Sequence, residues 1–129
     1  MGDLIWTEED KQNSVQFFKS MESYSKAKRV LNSLDTDVVG WMSEQTMLEI
    51  KEQMRLALQN AELLTDIVLK KAHPDLHDHW RNEYQFGLRL YLDSYQTTDF
   101  QSQLKAQMLL DDFDTWFNKN NHEFKIPIR

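Results

Sequence analysis

The residue types best suited to chemistry in this chain are gathered in one stretch, His73-Pro74-Asp75-Leu76-His77-Asp78-His79, with Glu83 one helical turn further on. Neutral imidazole and carboxylate are the right ligands for zinc, iron or manganese. Asp75 and His79, like His79 and Glu83, stand four residues apart and share a helix face, so Asp75, His79 and Glu83 form the candidate metal set. His77 falls on a different side, toward Trp80 and Tyr84. A carboxylate-bridged dimetal bundle needs Glu-x-x-His pairs on facing helices. No histidine follows a glutamate by three residues here. An acidic helix start with solvated histidines is therefore preferred to a metal centre, because closed ligand geometry is far rarer than ligand-type residues. No cofactor is expected.

A second constellation is the row Trp80, Tyr84, Gly87, Tyr91 and Tyr95, which falls on one helical stripe. Each aromatic couples an apolar body to one polar atom, and the glycine removes bulk at the centre. Together with His77, the row Trp80, Tyr84, Tyr91 and Tyr95 could line a cleft for a small molecule. Ordinary packing against a neighbouring helix explains the same spacing and is the preferred reading.

Other routes to catalysis are thin. Glu49 pairs with Glu52, and Asp111, Asp112 and Asp114 crowd one segment, but these carboxylates fall on largely solvated faces, whereas acid–base work needs a desolvated site. No serine sits in a G-x-S-x-G elbow and no glycine loop could cradle phosphate. Without cysteine there is no thiol nucleophile, disulfide or thiolate zinc site. His73-Pro74-Asp75 spells the tripeptide of J-domain co-chaperones, where it follows a strongly basic helix; the preceding segment here is mixed, proline at a helix start accounts for the tripeptide, and no family is assigned. An enzyme is the minority reading.

These residues must be positioned by helices. The chain has only three glycines and two prolines in 129 residues, so long segments run unbroken. Thr7 is placed to cap a helix over Glu8 to about Ser33, with Glu8, Glu9 and Asp10 favourably set against its dipole. A turn of helix near Val38 and a break near Gly40 follow, after which Ser43 would cap a helix from Glu44 to about Ala72. Proline at its first position would start a third helix at Pro74, running to about Gln96. Thr98 and Gln101 form a capping-box pattern for the fourth. The predicted fold is all-α: an antiparallel up-down four-helix bundle in one domain, with a short extra helical turn and an extended tail carrying Phe124, Ile126 and Ile128.

Composition narrows the partners. A net charge of −6, spread along the chain, disfavours nucleic acid, which needs clustered Lys and Arg. No apolar run approaches the roughly 20 residues of a membrane span. A cytoplasmic protein is expected. Apolar residues exceed what one stripe per helix requires: Leu56, Leu63 and Ile67 form a second line on helix two, and Phe100, Leu104 and Met108 lie on another side of helix four. Val38, Val39, Trp41, Met42, Leu56, Leu63 and Ile67 are the candidate partner-binding residues. The leading expectation is a non-catalytic interaction module that binds another protein or itself: a small acidic regulator, inhibitor, immunity protein or adaptor. A small-molecule or metal-binding bundle is the alternative.

Overall fold

The computed structural model describes residues 5–33, 44–97 and 100–126, and these are all-helical, with no strand among them. The order is α1 (Glu8–Ser33), α2 (Glu44–Leu63), α3 (Asp66–Ala72), α4 (Leu76–His79), a π-helical segment (Trp80–Gln85), α5 (Phe86–Thr97), α6 (Phe100–Asn120) and a final 3-10 turn (Asn121–Glu123). Thr7 caps α1 as its sequence implies: its hydroxyl accepts from the Asp10 amide at 3.0 Å, and its own amide donates to the Asp10 carboxylate at 3.3 Å. Gly40, Ser43 and Thr98, expected to break or cap helices, lie outside the described residues, as do the expected turn near Val38 and Ile128.

Two expected helix boundaries are corrected. The helix predicted from Glu44 to Ala72 stops at Leu63, and a second begins at Asp66. Thr65 caps it, its hydroxyl accepting from the Val68 amide at 3.2 Å. Asn13 of α1 spans the break with both ends of its amide, donating to the Leu63 carbonyl at 2.8 Å and accepting from the Thr65 amide at 3.0 Å. Arg81 closes it from the other side through the Ala61 and Leu64 carbonyls, and also holds Asp66 and Gln85. A charged side chain on the last carbonyls of a helix is an effective cap.

The third helix begins at Leu76 rather than Pro74, because His73 Nδ1 accepts the Asp75 amide and shapes a turn there. It then passes through the π segment. Leu76, Trp80, Tyr84 and Leu88 recur every fourth residue, and all four are completely buried. In an α-helix each four-residue step overshoots the turn by about 40°. The wider i→i+5 turn of a π-helix holds more residues, and so keeps this row pointed at the core.

α1 and α2 run antiparallel, joined at mid-height where the Ser20 hydroxyl donates to the Ala57 carbonyl at 2.7 Å. The π segment and α5 together pack on α6 as the other close pair, Tyr84 of the π segment meeting Phe113 and Gly87 of α5 meeting Leu110. A Cβ at Gly87 would stand 3.0 Å from Leu110 Cγ and 3.4 Å from the Ala106 carbonyl, so the glycine sets how closely these helices approach. Between the two pairs lies an aromatic core of Phe17, Tyr24, Trp80, Tyr84 and Phe113.

After the 3-10 turn the chain becomes extended at Phe124, whose ring packs on Phe17, Trp116 and Phe117, and the Lys125 amide donates to the Ala72 carbonyl at 2.8 Å. Buried His73 contacts Glu123 Oε1 through Nε2 at 3.0 Å. That contact, helped by His122, holds the Glu123 carboxyl below its ordinary range. A carboxyl whose pKa is lowered on folding stabilises the fold fully above its unfolded value and loses that contribution as pH falls through the lowered one. Acidification below about pH 4 is therefore expected to loosen the tail, seen as a change in tryptophan fluorescence from Trp116. Glu123→Gln should remove that component, and an unchanged acid profile would refute the assignment.

Candidate functional site

The structure separates the histidines that the sequence gathers. His77 Nε2 lies 3.1 Å from Asp66 Oδ1, and its Nδ1 lies 3.2 Å from Asp78 Oδ1. His79 Nδ1 meets Glu83 Oε1 at 2.7 Å, and its ring stacks on Trp116 at 4.1 Å between centroids. Glu83 and His79 thus come together as their spacing implies, but Asp75 does not complete a set. Among the described residues no three His, Asp or Glu side chains converge as metal ligands do. The Asp66 carboxyl is held below its ordinary range chiefly by Arg81, with His77 adding to it.

The aromatic row divides. Trp80 and Tyr84 are fully buried core residues whose polar atoms already have partners. The Trp80 indole donates to the Ala61 carbonyl at 3.2 Å, and the Tyr84 hydroxyl lies 2.8 Å from Ser20 Oγ and donates to the Ser20 carbonyl at 3.2 Å. Burial pushes the Tyr84 hydroxyl well above its ordinary pKa. Farther along, Tyr95 is half-buried and donates to the Tyr91 hydroxyl at 3.1 Å. His77 is not joined to the row.

Tyr91 reaches a feature that sequence reasoning missed, a cleft of about 310 Å³ along the seam between α1 and α6. The backbones of these helices barely approach each other, since α1 packs chiefly on α2 and α6 on α5. Side chains hold the seam instead. Asp114 Oδ2 accepts from the Tyr24 hydroxyl at 2.9 Å and from Lys28 Nζ at 2.6 Å. Burial, and then the Asp114 and Asp111 carboxylates, push the Tyr24 hydroxyl far above its ordinary pKa. Met54, Tyr91 and Leu110 are buried at the base of the cleft, while Lys28, Gln107 and Asp111 are more exposed. The missing signal was the pairing of α1 with α6, two segments at opposite ends of the chain.

The candidate partner-binding residues are equally dispersed. Val38, Val39, Trp41 and Met42 lie outside the described residues. Leu56 is half-buried, and Leu63 and Ile67 are exposed at the α2–α3 corner. Among the described residues the longest exposed apolar row is on α6, where Phe100, Leu104 and Met108 are 68%, 46% and 67% exposed. Its spacing was legible as a second apolar line. Its exposure follows from α6 turning Ala106, Leu110 and Phe113 inward on the opposite side.

Among the described residues every buried polar side-chain atom has a hydrogen-bond partner, and no helix is long and apolar enough to cross a membrane. No family model matches this chain, and no curated protein or solved structure matches it either.

Proposed function

We propose that this chain is a non-catalytic interaction module, an antiparallel four-helix bundle that binds an amphipathic helix of another protein. The observation that carries the reading is the exposed row Phe100, Leu104 and Met108 on the outer face of α6. Residues at i, i+4 and i+8 make a ridge about 12 Å long, the span over which one helix lies against another. Exposed apolar rows of this kind are a recurrent basis for helix capture. Charge supports a helix as occupant and constrains its sequence. Asp112, four residues beyond Met108, is exposed and forms no ion pair with a described residue, whereas Lys105 is the cation beside the ridge. The complementary partner carries an apolar stripe followed one turn later by Lys or Arg. Such binding suits a small acidic regulator, inhibitor, immunity protein or adaptor working in the cytoplasm.

A fluorescein-labelled synthetic helix with leucines at i, i+4 and i+8 and arginine one turn beyond tests this by anisotropy. Leu104→Glu with Met108→Glu should weaken binding by at least about tenfold, since each buried leucine-sized side chain contributes about 1.5–3 kcal/mol. Helicity should not change, because both side chains are exposed. Replacing the peptide arginine by glutamate should weaken binding as well. Equal affinity for wild type and the double variant would overturn the reading.

A further inference from the structure

We propose that the cleft between α1 and α6 is a binding site for a small arylalkylamine, a molecule with one flat apolar ring, a hydrogen-bond acceptor at its inner end and an ammonium at the mouth. At about 310 Å³ the cleft is at the small end of ligand pockets, which run from roughly 300 to 1,000 Å³, and suits a single ring with a short chain. Its base presents Leu110 together with Met54 and Tyr91, the last two each 1% exposed, and Tyr24 and Leu31 add to its lining. Apolar and aromatic surfaces of this kind favour a flat hydrophobic body.

The base also supplies a specific polar demand. The Tyr91 hydroxyl accepts the proton of Tyr95 and gives its own to no described residue, so a buried donor remains open to an acceptor oxygen. The mouth sets the charge. Lys28 is neutralised by Asp114 at 2.6 Å, and the Tyr24 hydroxyl donates to the same carboxylate oxygen. Asp111 has no cation within ion-pair distance among the described residues, so the mouth carries a net negative charge. A cation with an apolar body and a distal oxygen meets all three features, whereas an anion would face Asp111 and Asp114 together.

Tyramine is the probe, titrated into the intact protein labelled at methionine methyls and backbone amides and followed by NMR. Saturable shifts are expected at the Met54 methyl and at the amides of Tyr91, Leu110 and Asp111. Asp111→Asn should weaken tyramine by about tenfold, the effect of losing one charge-assisted contact, and leave 4-ethylphenol, which lacks the amine, unchanged. Tyr91→Phe should weaken tyramine but not phenethylamine, which lacks the acceptor. Leu104→Glu with Met108→Glu should leave tyramine binding intact, separating this site from the α6 ridge. Absence of saturable shifts at these residues, or equal binding of 3-(4-hydroxyphenyl)propionate, would overturn the proposal.

Discussion

Trp80→Ala is expected to destabilise the fold by about 3–5 kcal/mol, the range for removing a large buried aromatic. Trp80 is completely buried, stacks on Phe17 at 5.2 Å, and lies 4.4 Å from Tyr84 and 5.9 Å from Phe113 between ring centroids. It is therefore the point where α1, the π segment and α6 meet. Its indole also satisfies the Ala61 carbonyl near the end of α2, so truncation opens a cavity and removes a hydrogen bond together. Small domains are stable by about 5–15 kcal/mol, so the loss is a large share of the total. Urea denaturation followed by circular dichroism gives the number. A loss under about 1 kcal/mol, typical of a surface site, would mean that Trp80 is not the centre of the core.

Arg81→Met is the second large effect, expected near 3 kcal/mol, at the upper end for hydrogen bonds to a charged donor. Methionine keeps much of the aliphatic stem while removing the guanidinium. That group donates to Ala61, Leu64, Asp66 and Gln85, and so joins the end of α2, the start of α3 and the π segment. The damage should be local as well as global. Amides around Leu64–Asp66 should lose hydrogen-exchange protection before those of α6, because the break between α2 and α3 depends on Arg81 and Asn13. Uniform loss of protection across the molecule would show that Arg81 acts only on overall stability.

Much of this molecule is legible in local chemistry. Helical class follows from scarce glycine and proline, and the start of α1 from Thr7 with Asp10, because capping acts between residues three apart. The second apolar line of α6 is equally local, since i, i+4 spacing states which side chains share a face. The break at Leu64–Thr65 was not legible: the apolar period runs through it, so the sequence reads as one helix from Glu44 to about Ala72. Only tertiary structure supplies Asn13 and Arg81, which satisfy the freed backbone groups from distant positions. The π segment is likewise decided by packing, which asks Leu76, Trp80, Tyr84 and Leu88 to face one way although α-helical geometry would fan them out.

The functional surfaces divide along the same line. Spacing placed His79 beside Glu83, and the structure agrees, because one helical turn settles that contact. Spacing alone could not say that His73 would turn to Glu123 and His77 to Asp66, since those partners arrive from other elements. Nor could the aromatic row reveal that Trp80 and Tyr84 are sealed inside while Tyr91 reaches a cleft. Helical periodicity fixes which way a residue faces on its own helix. What stands opposite it, another helix, a cleft or water, is decided only when α1 and α6, far apart in the chain, are brought side by side.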